Sequence, residues 1–281
     1  MPKGVAQRAE VVSSERITPH MVRLVFSAPG GGPLDVDPAG YTDTYVKVLL
    51  PRPGTGVSEP FDLEEVKERI PAEDWPVMRT YTIRAWDPES GHATIDFVVH
   101  GDEGIAGPWA AAARPGDQVQ LFGPGRGYAP NPEADWHLLA GDESALPAIA
   151  ATLEAMPEEA VVRAIIEVAD PAEEQPLLTV AGAEVQWIHR SASSVEAEPG
   201  EALVAAVREL ERPAGRVHAF VHGDADVVKQ LRSLLRFEWD VPKEDLSASG
   251  YWKRGTNDDQ WRTMKRQWVA QMEAEEARRS A

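Results

Sequence analysis

Apolar and polar residues alternate in short bursts along the first part of the chain, and each burst stops at glycine or proline. Val5 to Phe26 alternates with polar residues, Tyr45–Leu50 is a second strand, and Tyr81, Ile95–Val99 and Gln118–Phe122 start or form others. Pro29–Pro33, Pro51–Gly56, Pro115-Gly116 and Gly123-Pro124-Gly125 read as the turns between them. Strands this short, separated in this way, predict a small antiparallel Greek-key β-barrel. Phe61–Ile70 is charged with helical spacing and reads as a surface insertion.

After Pro130-Asn131-Pro132 the rhythm changes to alternating strand and helix. Trp136–Ala140 has the composition of a buried strand, and Asp142 or Ser144 can cap a helix running through Met156. Strands at Val161–Val168, Glu184–His189 and Val217–His222 follow, with helices at Glu201–Leu210 and, begun by Asp, Asp224–Phe237. This order predicts a parallel sheet with helices on its faces and ligands beyond the carboxyl ends of its strands. No G-x-G-x-x-G occurs. In the tail from Thr256 to Ala281, Trp261, Met264, Trp268 and Met272 recur at three and four residues, which predicts an amphipathic C-terminal helix packed by its Trp and Met face. A lid or a dimer contact is the alternative use of that face. The expected domains are residues 1–132 (barrel), 133–246 (α/β) and 247–281 (C-terminal segment and tail).

With 281 residues there is enough chain for two domains, each with its own core. Cysteine is absent, which excludes disulfides, thiol chemistry and an iron–sulfur cluster ligated by this chain, so redox work would fall to an organic cofactor. A formal net charge of −18 argues against nucleic acid as a partner. No basic leader with an apolar stretch opens the sequence and no apolar run is long enough to span a bilayer, so a cytoplasmic protein, monomeric or weakly dimeric, is expected.

Candidate chemistry centres on Arg79-Thr80-Tyr81-Thr82. In a strand Arg79 and Tyr81 project together and Thr82 points the other way. A guanidinium that can grip pyrophosphate bidentately, a phenol to lie on ribose or ring, and a short hydroxyl for a ring edge suit a flavin; Thr, Tyr and Ile are also ordinary strand formers, and a plain surface strand is the alternative. Three further segments accompany it. They are Asp96-Phe97-Val98-Val99-His100-Gly101 with Gly104-Ile105-Ala106-Gly107-Pro108-Trp109-Ala110 and Arg114-Pro115-Gly116-Asp117; Ala140-Gly141-Asp142-Glu143-Ser144-Ala145-Leu146-Pro147-Ala148-Ile149; and Ser249-Gly250-Tyr251-Trp252-Lys253-Arg254-Gly255. Together, over roughly residues 10 to 262, they resemble the siderophore-interacting protein family, flavin-dependent ferric-siderophore reductases of ferredoxin-reductase-like architecture. One departure is Gly107, which stands where the family pattern carries Ser; its backbone N–H remains open to an anion.

The resemblance implies FAD against the barrel. Arg79 would hold the pyrophosphate, Tyr81 would lie near the isoalloxazine or ribitol, and Thr82 would reach the N5 edge. Val98, His100 and Gly101 would line the flavin through their backbone; Ala106, Gly107 and Trp109 would hold the phosphates and adenosine side; Asp96, Tyr251 and Trp252 complete the cofactor set. NADPH or NADH would supply electrons from the α/β domain, and an anionic ferric siderophore would be held by basic residues, with Lys47, Arg126, Lys253 and Arg254 as candidates. No general acid or base is required, and none is assigned.

Glu143, ahead of the helix start, would repel a phosphate there. Arg190, just past the strand ending at His189, is placed to meet a 2′-phosphate and tilts the expected donor toward NADPH. His218 and His222 bound a strand, too far apart to chelate one ion, and no ligand cluster is seen, so no protein-bound metal is expected. His100, in the flavin strand, reads either as a structural histidine or as part of the site. Two further functions fit the same residues: a flavin-linked oxidoreductase with another acceptor, and a non-catalytic siderophore-binding flavoprotein.

Overall fold

The computed structural model describes residues 6–101, 104–192 and 200–279; Val5 and the last two residues of the expected tail lie outside them. The chain forms two compact units. One is the chain up to Pro130 with Pro147–Ala155 and Ala172–Leu178, and the other is Asn131–Leu146, Met156–Pro171 and the chain from Thr179 onward.

The first unit is a closed antiparallel barrel of β1 (Gln7–Thr18), β2 (Met21–Ser27), β3 (Tyr45–Leu50), β4 (Val77–Trp86), β5 (Ala93–Val98) and β6 (Gln118–Gly125), in the order β1-β2-β5-β4-β3-β6. The run β3-β4-β5 is a meander, and β6 returns beside β3, which is the Greek-key arrangement. The alternation at Val5–Phe26 resolves into a hairpin, because the chain turns at Pro19-His20, and β1 pairs back on β2 from Thr18↔Met21 to Glu10↔Ser27. Inward positions such as Leu24, Phe26, Val46, Val48, Ile95, Phe97 and Leu121 fill the interior and are at most 1% exposed. Gly123-Pro124-Gly125, expected as a turn, is the end of β6. Its glycines allow a close approach to β3, since a Cβ on Gly125 would lie 2.3 Å from the Tyr45 ring. The helices of this unit are α1 (Leu63–Arg69), capped by Asp62 in the charged insertion, α2 (Ala106–Ala112) and most of α3 (Leu146–Glu154).

The second unit is a five-stranded parallel sheet ordered β11-β10-β7-β8-β9, with β7 (Trp136–Asp142), β8 (Val162–Val168), β9 (Ala183–His189), β10 (Val217–Asp224) and β11 (Leu246–Trp252). Read in chain order this is the 3-2-1-4-5 pattern of a doubly wound sheet, and the order reverses between β7 and β10. β11 is an element that the sequence pattern does not predict: Tyr251-Trp252 close a strand of the sheet. Helix α4 (Glu201–Glu209) and α5 (Ala225–Ser233) bury Leu203, Val207, Val227 and Leu231 against Val217, Ala219 and Val221 of β10. Asp224 caps α5 by accepting from the Asp226 and Val227 N–H groups. The tail forms α6 (Asp258–Arg279), which buries Trp261 and Met272, whereas Met264 is 45% exposed and outside the expected apolar face.

The opposite side of β10 carries His218 and His222, buried near His137 and Ser247 respectively. Burial holds His137 down to about 4, aided by His218, and holds His222 down to about 3, aided by Lys265. A depressed histidine contributes stability above its unfolded value of ~6.5 and forfeits it as the pH falls through that value toward the folded one. Asp142 runs the other way: burial, reinforced by Glu143, pushes it up to about 6, so its contribution is present in acid and is lost as the pH rises through 6. Burial also pushes Glu59 and Glu167 up, in the same sense as Asp142; the two histidines carry the larger shifts, and unfolding free energy is expected to fall as the pH drops from 6.5 toward 4. Urea titrations across that range should show the slope flatten in His222→Asn.

Candidate functional site

The barrel brings the predicted flavin residues onto two faces of one strand. Val48↔Arg79 and Val46↔Tyr81 are direct cross-strand pairs, so Arg79 and Tyr81 share a side with core residues of β3, while Thr82 opposes Tyr45 on the other side. Arg79 is half-buried and donates from Nη1 to the Met78 carbonyl at 3.1 Å. The Tyr81 ring lies 4.2 Å from that of Phe97, which in turn lies 5.9 Å from Trp109 of α2, so an aromatic row fixes the tyrosine. Thr82 is buried.

Val98 ends β5, the Val99 N–H is spent on the His20 carbonyl, and His100 and Gly101 are exposed beyond it, Gly101 with φ +55°. Asp96 is 3% exposed and accepts both Nε and Nη2 of Arg23, at 2.7 and 2.8 Å, so its carboxylate joins β5 to β2 and is not presented to a ligand. This departs from the expectation that Asp96 belongs with the cofactor set.

At the start of α2 no side chain caps the helix, Pro108 has no N–H, and the Trp109 N–H is taken by Ile105. The Ala106 and Gly107 N–H groups are therefore the ones helix geometry leaves to an outside acceptor. A Cβ on Gly107 would meet nothing closer than 3.5 Å, so serine fits there. Gly107→Ser is expected to tighten FAD binding by about fivefold, the worth of one added hydrogen bond of ~1 kcal/mol, as read by flavin fluorescence titration. The group fits this surface: a fork-shaped cation, open backbone donors without an intruding side chain, a fixed phenol and a short hydroxyl are the donor set for a dinucleotide flavin.

The cation candidates divide by unit. On the barrel, Lys47 has no ion pair among the described residues, and Arg126 donates to the Pro38 carbonyl at 3.2 Å and lies 5.7 Å above the Tyr41 ring. Tyr45 opposes both Thr82 and Gly125, and Lys47 is two residues along from Tyr45 on the same side. Sequence reasoning missed Asp43, whose Oδ1 accepts from Gly127 and Tyr128 N–H at 2.9 and 2.8 Å and so holds the loop carrying Arg126. Nothing local signals a contact reaching 84 residues along the chain.

In the sheet unit the three cations are all committed. Lys253 pairs with Asp226 at 2.6 and 2.5 Å, Arg254 approaches Asp224 at 3.8 Å, and Arg190 grips Glu143 at 2.8 and 2.6 Å and Glu167 at 3.3 Å. Burial works against the Arg190 charge, but its two carboxylate partners raise its pKa above the ordinary arginine value. The expected meeting of Arg190 with a 2′-phosphate thus finds the guanidinium already held.

The carboxyl ends of β7, β10 and β11 meet at Asp142, which sequence reasoning saw only as a helix cap. Its Oδ2 accepts from Trp252 Nε1 and the Asp224 N–H, both at 2.8 Å, and its Oδ1 accepts from the Ser144 N–H at 2.9 Å and the Ser144 hydroxyl at 2.5 Å. Gly223, at φ +135°, makes room for it: a Cβ there would lie 2.5 Å from Oδ2. Trp252 is therefore pinned by its indole, and Tyr251 stands edge-on to His222 with ring centres 5.0 Å apart. Among the described residues no group of three or more His, Cys, Asp or Glu could hold a metal ion, and no helix is long and apolar enough to cross a membrane.

Comparison with known proteins adds identity to this geometry. Residues 10–128 match the family model described as the siderophore-interacting FAD-binding domain, and residues 134–255 match that of siderophore-interacting protein. Ferric vibriobactin reductase ViuB of Vibrio cholerae is 33% identical over 253 residues, covering 89% of this chain and 90% of its own. The structure of a siderophore utilization protein from T. fusca superposes with a TM-score of 0.75 at 40% identity, covering 90% of this chain and 95% of the other. Phthalate dioxygenase reductase shares the fold at 16% identity and a TM-score of 0.60, covering 90% of this chain and 70% of its own. The two matched segments and these extensive likenesses establish that the chain belongs to the siderophore-interacting protein family.

Proposed function

We propose that the protein is a cytoplasmic FAD-dependent reductase that takes electrons from a reduced pyridine nucleotide and delivers them to a ferric siderophore. The observation that carries this reading is the register of the barrel. It sets Thr82 opposite Tyr45, Tyr45 opposite Gly125, and the two barrel cations Lys47 and Arg126 around that point, on a chain of net charge −18. Positive charge gathered beside a flavin edge on an otherwise acidic protein is suited to drawing in an anionic iron chelate. When bound, FAD supplies a link between a two-electron donor and a one-electron acceptor.

The chain's own residues perform the rest. Arg79 and the Ala106 and Gly107 N–H groups would bind the pyrophosphate; Tyr81, braced on Phe97, would orient the ring system; and Thr82 would hydrogen-bond its edge. Val98, His100 and Gly101 would border it through their backbone. Lys47 and Arg126 would orient the siderophore, whose hard oxygen donors favour Fe(III) over the larger, less charged Fe(II), so that reduction frees the metal. The likeness to a ferric vibriobactin reductase favours this acceptor, and the fold neighbour that moves electrons from pyridine nucleotides to a [2Fe-2S] centre favours such a donor.

Anaerobic stopped-flow absorbance tests the proposal. The flavin band should bleach with a pyridine nucleotide and recover on addition of ferric siderophore, with Fe(II) captured by a chelating dye. Protein that cannot be loaded with FAD would end the reading; reduced protein that ignores ferric siderophore but reduces another acceptor would give it to a general flavin-linked oxidoreductase.

A further inference from the structure

The carboxyl ends of three adjacent strands in the sheet unit carry one charged cluster. Glu143 directly follows β7, Glu167 is the penultimate residue of β8, and Arg190 directly follows β9. The arginine fork is closed on Glu143 by two hydrogen bonds of 2.8 and 2.6 Å and touches Glu167 at 3.3 Å, and the side chains of Glu143, Glu167 and Arg190 are only 18, 5 and 27% exposed. Two carboxylates around one guanidinium leave the cluster formally negative. Asp142 and Asp224, at the ends of β7 and β10 where the strand order reverses, make the neighbouring rim acidic as well.

In doubly wound sheets nucleotides lie outside the carboxyl ends of the strands. There a carboxylate near the end of the second strand accepts from a ribose 2′-hydroxyl, whereas a 2′-phosphate requires an available arginine. β8 is the second strand of this sheet in chain order, and its penultimate residue is a buried glutamate rather than an available cation. From this geometry we infer that Glu143, Glu167 and Arg190 form a selectivity element that favours NADH over NADPH: the carboxylates hold the guanidinium away from a phosphate and surround it with negative charge that would repel one. The inference rests on the pyridine-nucleotide reductase reading above, and reverses the tilt toward NADPH that Arg190 alone suggests.

The test has a binding arm and a kinetic arm, both on FAD-loaded protein. Calorimetric titration should show adenosine 2′,5′-bisphosphate binding at least about tenfold more weakly than AMP, and the apparent second-order rate of flavin bleaching should favour NADH over NADPH by a similar factor. In Glu143→Gln, at the more exposed carboxylate, and in Glu143→Gln with Glu167→Gln, both ratios should fall by about tenfold through better binding of the phosphorylated nucleotide. Equal or better binding of the bisphosphate by the unaltered protein, or ratios unmoved by either variant, would overturn the selectivity element and leave the reductase reading standing. If neither nucleotide bleaches the flavin, while chemically reduced protein still passes electrons to ferric siderophore, the pyridine-nucleotide donor is lost and this inference with it.

Discussion

Asp142→Ala is expected to lower the stability of the sheet unit by about 3–4 kcal/mol, a loss of two to three powers of ten in the folded-to-unfolded ratio. The argument is one of orphaned donors. The carboxylate is 5% exposed and accepts four hydrogen bonds, from Trp252 Nε1, the Asp224 N–H and the N–H and hydroxyl of Ser144. Alanine leaves these groups facing a small void, and a buried donor without an acceptor costs about 1–3 kcal/mol. Asp142→Asn should fall between the two, since an amide offers one oxygen and turns its NH2 on the remaining donors. Urea unfolding followed by tryptophan fluorescence measures the effect; a loss below about 1 kcal/mol would mean that the three strand ends hold together without the hub. The Trp252 indole should also lose its fixed setting in the alanine variant, visible as a red-shifted emission in native conditions.

The second large effect is expected in the barrel. Arg79→Ala should weaken FAD binding by about 100-fold, corresponding to ~3 kcal/mol for a charge-assisted contact to pyrophosphate. Arg79→Lys keeps the charge but loses the planar fork, and a smaller loss of about tenfold is expected. Flavin fluorescence on titration into apoprotein gives both constants. Because Arg79 is only half-buried, thermal unfolding of the apoprotein should change little, which separates a ligand role from a structural one. Undiminished FAD affinity in the alanine variant would return β4 to the plain surface strand that its Thr and Tyr content also allows.

How far these features could be read from the chain depended on how local their causes are. Tyr45–Leu50 was legible to the residue because a dense apolar run leaves no other element to form, and Asp224 was legible as a cap because its partners lie two and three residues away. β11 was not: Leu246-Ser247-Ala248-Ser249-Gly250 has neither an apolar run nor β-branched residues, and it is held as a strand by its parallel pairing with β10. β6 ran on through Gly123-Pro124-Gly125 because a turn signal was overridden by the close packing of Tyr45. For the site, the order of Arg79, Tyr81 and Thr82 followed from strand geometry, but the state of the cations did not. Arg190 meets Glu143 across 47 positions and Lys253 meets Asp226 across 27, so these two, like Arg254 near Asp224, differ from Lys47 once the sheet is assembled.

The seat of α6 on β11 sets a rule for how this chain can vary. A Cβ at Gly250 would come within 3.0 Å of the Trp261 indole and 2.9 Å of Ala225, and Lys265, one turn beyond Trp261, donates to Ser249 beside it. Residue 250 cannot enlarge while Ala225 and Trp261 both stand where they do, so the strand at this end of the sheet order is held to glycine where α5 and α6 close over its face. Gly250 should therefore persist across relatives wherever Ala225 and Trp261 do, and a larger residue there should appear only with changes that open both neighbours.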